Sequence, residues 1–348
     1  MNLSRRRWLT RGAIALVALL SLWPQIAHQS VIIGSDTLFH FNRFYDTAMQ
    51  LRTGHFSYFQ TNFGFQQNGR VINAIYGPAF AFLNGLLLLV LHSWLGYQLV
   101  TSFAIALVGG WGMRRLAERL GARPLVQFLL AVIYLSLGWL PRWALAENME
   151  AWGAALAPYL CLVAVRMIRD HEQPVKWLPL ALVISITLQI HLLSTLIFVL
   201  TLVPFFILGL ISTKGRGEMV KEVFKAVGAT TLLTANIWGA LLELMLNNQL
   251  ATPNHFSLAK NALHLSQLAI SRNSITPLCL ALLLVQLLCA LKWRKGGNLA
   301  ITLIGGGILF VSSRLFPWAA VQAALPALGT TFQFPARLTI VAYPLLLG

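Results

Sequence analysis

The chain has 348 residues, of which 57% are hydrophobic and only 10% are charged. A soluble domain of this size cannot bury so much apolar side chain, and repeated apolar runs of roughly 16–20 residues predict an all-α protein that crosses a membrane several times. The net charge of +16 invites a nucleic-acid-binding interpretation, which the placement of the charges along the chain decides.

The first predicted span covers residues 10–27, behind an arginine-rich start. Signal peptides also begin this way, but no A-x-A cleavage site follows, so we interpret the run as a retained span. A polar and aromatic segment at 28–95 comes next. The remaining spans are predicted in 96–348, at roughly 96–113, 124–140, 151–166, 177–193, 195–212, 227–247, 275–291, 298–313 and 337–348. The last run is too short to complete a span, so we expect residues 1–348 to be one membrane domain of a longer protein.

A further apolar run at 74–94 decides the topology. If it does not span, most of the 26 Lys and Arg fall in segments on the side of the N-terminus, as the positive-inside rule requires of the cytoplasmic side. We therefore predict a re-entrant or interfacial element at 74–94, with a break at Gly77-Pro78. The N-terminus is therefore expected on the cytoplasmic side of a cytoplasmic membrane. The excess charge then marks topology and attraction to anionic lipid, and nucleic acid is excluded as a partner.

The histidines lie mostly on the opposite side of the membrane from the Lys and Arg residues. Of the eight His, all except His171 fall on or near the predicted outer side. The sequence contains no Walker A loop and no HExxH motif, so neither ATP-driven transport nor zinc proteolysis is indicated. We therefore look for chemistry on the outer side.

The first candidate group follows the first span. Read as a helix, Asp36, His40 and Arg43 are spaced i, i+4 and i+7 and share one face, with Asp46 a turn further on. An acid there could act as a general base or hold a divalent cation, while Arg and His meet an anionic group. The alternative is an interfacial helix whose charges are simply solvated and whose aromatic residues dip into the headgroup region.

The second candidate group is the segment "LPRWALAENMEAWG" at 140–153, in the next outer loop. It contains Arg142, Glu147 and Glu150, and the two acids would face the same way on a helix. They could join Asp36 around one cavity. Alternatively, they are acids at the start of a span that complement the helix dipole.

Two single residues complete the set. His191 lies at the outer end of the run at 177–193, where a packed histidine is the alternative to a ligand. Arg337 follows a proline in "FQFPARL" at 332–338. It could bind a phosphate, or it could anchor the chain at the interface.

The segments "GSDTLFHFNRF" (34–44), "YGPAFAFLNGLLLL" (76–89), "MRRLAERLGARP" (113–124) and "AVIYLSLGWLPRWALAENMEAWGAALAPYL" (131–160) carry a resemblance to known proteins. Together they resemble bacterial GT-C-type membrane proteins. More closely, they are similar to membrane proteins grouped under the label "6-pyruvoyl-tetrahydropterin synthase-related domain", neighbours of the YfhO-like family. No pterin-site signature accompanies that label in this sequence.

The resemblance implies a GT-C-like bundle of about 9–10 transmembrane helices, with interfacial or re-entrant helices in the first outer loop. It also implies a polyprenyl-phosphate-linked sugar donor and catalysis on the extracytoplasmic face. Asp36 occupies the position of the family's first-loop acid, and Glu147 and Glu150 match its "AE" loop loosely. Asp46 lies well beyond Asp36 in sequence, which departs from the close acid pair of many GT-C enzymes.

The sequence therefore predicts a glycosyltransferase-like membrane protein whose partners are membrane lipid and the lipid-linked sugar. Mg²⁺ or Mn²⁺ is a candidate cofactor with no assigned ligands. The alternatives are a lipid or polysaccharide transporter or flippase, and a non-catalytic scaffold for envelope assembly. The predicted catalytic residues are Asp36, His40 and Glu147, and the predicted substrate-binding residues are Arg43, Asp46, Arg142, Glu150, His191 and Arg337.

Overall fold

The computed structural model describes residues 3–251, 253–264, 277–293 and 296–348. These residues form helices, turns and two isolated β-bridges, with no strand among them. In the first half of the chain the helices are α1 (Leu3–Ser21), α2 (Trp23–His28), α3 (Thr37–Thr53), α4 (Pro78–Leu91), α5 (Trp94–Arg119), α6 (Pro124–Leu135), α7 (Arg142–Ala146) and α8 (Glu150–Arg169).

The second half continues the helical pattern. Its helices are α9 (Trp177–Ile190), α10 (Leu192–Ser212), α11 (Arg216–Leu233), α12 (Ala235–Asn247), α13 (Pro277–Trp293), α14 (Gly296–Ser312), α15 (Trp318–Ala324), α16 (Leu328–Thr331) and α17 (Thr339–Leu347).

Four stretches of the described chain are long and apolar enough to cross a membrane, or five if the bent pair α11–α12 counts as one span. The four are Arg7–His28, Trp94–Arg119, Glu150–Arg169 and Leu192–Ser212. Large apolar side chains such as Leu16, Leu200 and Leu232 are more than half exposed on these and neighbouring helices. Such a surface is unfavourable in water and suits a lipid environment.

Helix α4 is a shorter apolar helix of 14 residues. At 1.5 Å per residue it extends about 21 Å, less than the ~30 Å hydrocarbon core of a bilayer. It packs along α3 and also meets α5 and α9. Helices α6 and α9 are no longer than α4, although their runs were predicted to span, so length alone does not set the run at 74–94 apart from them.

The run at 227–247, predicted as one continuous span, is broken in the structure into α11 and α12, which are bent by 66°. Thr234 joins them in a non-helical conformation, with φ −120° and ψ 14°. Its hydroxyl donates to the Thr230 carbonyl at 2.7 Å and accepts from the Trp238 indole at 2.9 Å. Side-chain bonds of this kind compete with the helical backbone and favour a bend.

The bundle has two distinguishable ends. At one end Arg7 of α1 pairs with Glu118 of α5 at 2.7 Å; we call this the basic end. At the other end α3 lies beside α4 and α7, and α5, α8 and α10 begin there; we call this the α3 end. Between the ends, α5 and α8 pack closely, and small residues such as Ala154, Ala155 and Ala164 are buried on α8. Small side chains allow the backbones of two helices to approach.

Candidate functional site at the α3 end

Helix α3 buries its polar face instead of exposing it. His40 is 2% exposed and Arg43 and Asp46 are fully buried, so the alternative of solvated charges on an interfacial helix is wrong for these three. The loop at 63–76 covers this face: Asp46 accepts from the Phe63 amide at 2.8 Å, and Arg43 binds Asn73 and Tyr76. Helix α4 packs beside it, where the Thr47 hydroxyl donates to the Ala81 carbonyl at 2.8 Å. The shared face was predicted, but the segments that cover it were not.

Arg43 is held by several partners at once. Its Nε donates to Asn73 Oδ1 at 3.1 Å, one terminal nitrogen donates to the Tyr76 carbonyl, and the guanidinium lies over the Tyr76 ring at 4.6 Å. Burial lowers the pKa of Arg43 to about 10, which leaves it cationic at neutral pH. Arg43 therefore fixes residues 73–76 onto α3.

The hydrogen bond from Arg43 sets the tautomer of His40. The second terminal nitrogen of Arg43 lies 3.1 Å from His40 Nδ1. Because a guanidinium can only donate hydrogen bonds, His40 Nδ1 is the acceptor. Burial and the neighbouring Arg43 charge hold the pKa of His40 well below its usual value. His40 is therefore neutral and carries its proton on Nε2.

Glu150 and Arg337 form a nearly buried ion pair between segments that are far apart in sequence. Arg337 Nε lies 2.6 Å from Glu150 Oε1, and the two side chains are 12% and 7% exposed. A second Arg337 nitrogen donates to the Phe332 carbonyl at 3.0 Å. The Trp139 indole donates to the Ala336 carbonyl at 3.3 Å and holds this segment against the core.

His191 forms the sharp connection between α9 and α10. Its extended backbone, with φ −151° and ψ 107°, ends one helix and begins the next. The ring is 7% exposed, and its Nδ1 lies 2.8 Å from the Ser194 hydroxyl. The turn brings His191 to the α3 end.

Tyr76 is where these groups meet. Its ring centroid lies 6.0 Å from that of His40 and 6.4 Å from that of His191. Burial raises the pKa of the Tyr76 hydroxyl to about 12, and the charges of Arg43, Glu150, Asp36 and Arg337 all act on it. Sequence reasoning missed Tyr76; its place directly before the Gly77-Pro78 break was the available signal.

Asp36 directly precedes α3, and its carboxylate is hydrogen-bonded by a residue that lies just before α8. Asn148 Nδ2 donates to Asp36 Oδ2 at 2.5 Å, and the Asp36 amide donates to the Ala146 carbonyl at 3.2 Å. The chain passes so close to α7 that a Cβ on Gly34 would lie 2.3 Å from the Leu145 carbonyl oxygen. The carboxylate is half-buried, unlike those of Glu147 and Glu150.

The predicted residues Glu147, Asp46 and Arg142 have other surroundings. Glu147 Oε1 accepts from Gln98 of α5 at 3.1 Å, while its buried Oε2 has no hydrogen-bond partner. Burial raises the pKa of Glu147 to about 8, so it is mostly protonated at neutral pH.

Asp46 accepts from the Phe63 amide at 2.8 Å and fixes the loop after α3. Arg142 is half-buried at the first residue of α7. Their roles in catalysis or binding stay predictions.

Within the described ranges, no group of three or more His, Cys, Asp and Glu side chains is placed to hold a metal ion. Of the two acids acting on Tyr76, Asp36 is bound by an amide and Glu150 by a guanidinium. The Mg²⁺ or Mn²⁺ therefore stays a prediction.

An apolar groove of about 650 Å³ lies between α9, α10, α11 and α12. Leu192 and Thr195, the residues directly after and one turn after His191, belong to its lining, and so does Trp238 on α12. One end of the groove therefore lies beside His191, and the groove continues along α10.

Comparisons of this chain with protein-family models, with curated proteins and with solved structures find no match.

Proposed function

We propose that the protein is a membrane glycosyltransferase of the GT-C type that uses a polyprenyl-phosphate-linked sugar on the extracytoplasmic face. One observation carries the proposal: groups from four separate parts of the chain converge on Tyr76. His40, Arg43 and His191 lie beside its ring, and the charges of Asp36, Glu150 and Arg337 act on its hydroxyl. Folding brings ionisable groups together in this way at functional sites far more often than in inert scaffolds.

In the proposed reaction a hydroxyl oxygen of the acceptor attacks the anomeric carbon of the sugar. The new carbon–oxygen bond forms as the bond from that carbon to the lipid phosphate breaks, and the electron pair leaves with the phosphate. Asp36, the half-buried carboxylate, accepts the hydroxyl proton, directly or through water. Asn148 keeps Asp36 oriented through its amide hydrogen bond.

The leaving phosphate gains negative charge in this step and needs cationic or hydrogen-bonding partners. Arg337 supplies a guanidinium that is 12% exposed, and the neutral His40 supplies an Nε2–H donor. Arg43 is held by Asn73 and the Tyr76 carbonyl, so its part is to position Tyr76 and His40 while contributing positive charge.

The apolar groove beside His191 is the proposed place of the donor's lipid chain. It starts within one turn of the site and is lined by aliphatic residues of α9 and α10. In this arrangement the phosphate lies at the α3 end, the chain lies along α10, and the α3 end faces the outside. The predicted 9–10 spans and the GT-C arrangement belong to the same proposal.

The bent pair α11–α12 favours a second candidate function, a lipid or polysaccharide transporter. Broken helices with polar groups at the break are common in transporters, and here Gln189 Nε2 donates to Asn236 Oδ1 at 2.8 Å near the bend. The two functions differ in whether a bond to the sugar is broken.

The test is to place the full chain in liposomes with radiolabelled polyprenyl-phosphate hexoses and neutral oligosaccharide acceptors. The transferase proposal expects release of free polyprenyl phosphate together with label on an acceptor. If the labelled lipid instead crosses the bilayer intact, the transporter replaces it. If no donor is cleaved or moved by folded protein, both enzyme and transporter proposals fail.

A further inference from the structure

A second cavity lies at the α3 end, between the loop after α3 and the last turn of α12. Its volume is about 480 Å³, within the ~300–1,000 Å³ typical of small-molecule sites. The loop contributes Ser57, Tyr58, Phe59, Gln60 and Val71, and the helix side contributes Glu243, Leu244, Asn247 and Asn248.

One hydrogen bond joins the loop to α12, and two further contacts order the loop itself. The Tyr58 hydroxyl donates to the Asn236 carbonyl at 2.6 Å, which attaches the loop to α12. Gln60 pairs with Val71 in an isolated antiparallel bridge, and its amide donates to the Ser57 hydroxyl at 3.2 Å. The cavity is therefore part of the fold and not a gap between unconnected segments.

The chemistry of the lining is specific. Among the described residues that form it there is one carboxylate, Glu243, with amides from Gln60, Asn247 and Asn248, and no Lys, Arg or His. A lining without a cation is unsuited to a phosphate or a nucleic acid. The carboxylate can accept from two neighbouring hydroxyls, and amides both donate and accept.

Aromatic side chains complete the lining. The Tyr58 and Phe59 rings stand at 84° to each other with centroids 5.4 Å apart, so the pair offers flat surfaces in two directions. A flat apolar ring beside directed hydrogen-bonding groups suits a molecule that is polar at its edge and apolar on its face, as a sugar ring is.

From this lining we propose that the cavity binds a neutral sugar residue, and that this residue belongs to the acceptor glycan. The acceptor role rests on the proposed transferase function; sugar binding does not. The position fits, because Tyr58 binds Asn236, Asn236 pairs with Gln189, and the Gln189 carbonyl lies against Gly77, next to Tyr76. The cavity is thus one helix away from the candidate site.

The test uses the full chain in lipid nanodiscs, which avoid the sugar headgroups of maltoside detergents. Saturation-transfer NMR is recorded with maltotriose, mannotriose and tri-N-acetylchitotriose at millimolar concentration. At least one is expected to bind, and Glu243→Gln should weaken that binding about tenfold, because it loses the charge of an acceptor that receives hydroxyl hydrogen bonds. Arg52→Gln removes an exposed charge at the end of α3 and should leave sugar binding unchanged.

Two results would overturn the proposal: none of the three sugars binds to folded protein, or Glu243→Gln binds as wild type does. Asp36→Asn separates the two claims, since it should retain sugar binding while losing transfer. If wild type binds sugar but cleaves no donor, the transferase function fails and the sugar site stands.

Discussion

Two buried carboxylates near the start of α8 have opposite surroundings, although they are three residues apart. Glu150 faces the guanidinium of Arg337 at 2.6 Å. Glu147 faces only the Gln98 amide and leaves one oxygen without a partner. Burial without a cation favours the neutral acid, whereas a buried pair is stable only while both charges remain.

Glu147 should make the protein less stable as the pH rises. Burial raises its pKa from 4.5 to about 8, so between those values the folded state binds more protons than the unfolded state. Its stabilising contribution is complete below pH 4.5 and is lost as the pH rises to about 8. Thermal unfolding of Glu147→Gln measured from about pH 7 upwards should show a flatter pH dependence than wild type. Starting there avoids the titration of His40.

The exposed Glu218 provides the matched control, because Glu218→Gln removes an acid that is 63% exposed. Its pH dependence should follow that of wild type. If the unfolding temperatures of wild type and Glu147→Gln change equally with pH, Glu147 does not have a raised pKa in the folded protein.

The Glu150–Arg337 pair should respond to single and double substitutions differently. Glu150→Gln or Arg337→Gln alone leaves a buried charge without its partner, which costs about 3–5 kcal/mol in known cases. The double variant should cost less than the sum, and a double-mutant cycle by chemical denaturation measures the difference. The Glu218–Lys221 pair, more than 60% exposed on both sides, should show coupling below about 1 kcal/mol. Additive effects at Glu150 and Arg337 would contradict the pairing.

At the scale of elements, the docking of α4 depends on the backbone before it. Gly77 has φ +72°, and a Cβ there would lie 2.0 Å from the Gln189 carbonyl oxygen. Gly54, at the end of α3, has the similar φ of +74° but open space around it. The two glycines therefore separate backbone strain from close contact.

Gly54→Ala should cost roughly 1–2 kcal/mol of stability, from the left-handed conformation alone. Gly77→Ala should cost clearly more, because α4 must also move away from α9. The comparison is made by thermal unfolding of both variants under one condition. Equal losses would mean that α4 does not approach α9 at this point.

The positions of the helices were largely predictable from the apolar runs, whereas the residues at which the helices begin and end were less predictable. The spacing of Asp36, His40 and Arg43 predicted a shared helical face. Its burial depends on the loop at 63–76 together with α4, and no local pattern indicates which segments cover a helix. The bend at Thr234 was missed because three threonines within an apolar run still read as one span, while the bend arises from a hydroxyl bond to the Thr230 carbonyl.

At the scale of the whole molecule, the site is formed by contacts between residues that are distant in sequence. Arg337 and Glu150 are 187 positions apart, and Asp36 and Asn148 are 112 apart. Arg337, Glu150 and Asp36 were chosen from the sequence by their charge and their position at one end of a run, whereas Asn148 was not predicted. That they meet, and that Tyr76 lies between them, follows only from how α3, α8 and α10 pack.

The proposed orientation predicts which end a membrane-impermeant maleimide reaches. With the native cysteines replaced, Ser57→Cys at the α3 end should be labelled in intact cells. Lys221→Cys, on α11 at the basic end, should be labelled only after permeabilisation, as the positive-inside rule requires. The reverse pattern would place the candidate site in the cytoplasm and contradict an extracytoplasmic reaction.

The rate of polyprenyl phosphate release by Asp36→Asn tests the assignment of the site most directly. An amide cannot accept the acceptor's proton, so the rate should fall by about 10²–10⁴-fold, while Arg52→Gln, the exposed control on α3, keeps the wild-type rate. Thermal unfolding of both variants confirms that each is folded. If folded Asp36→Asn releases polyprenyl phosphate as fast as wild type, the groups around Tyr76 are not the catalytic site.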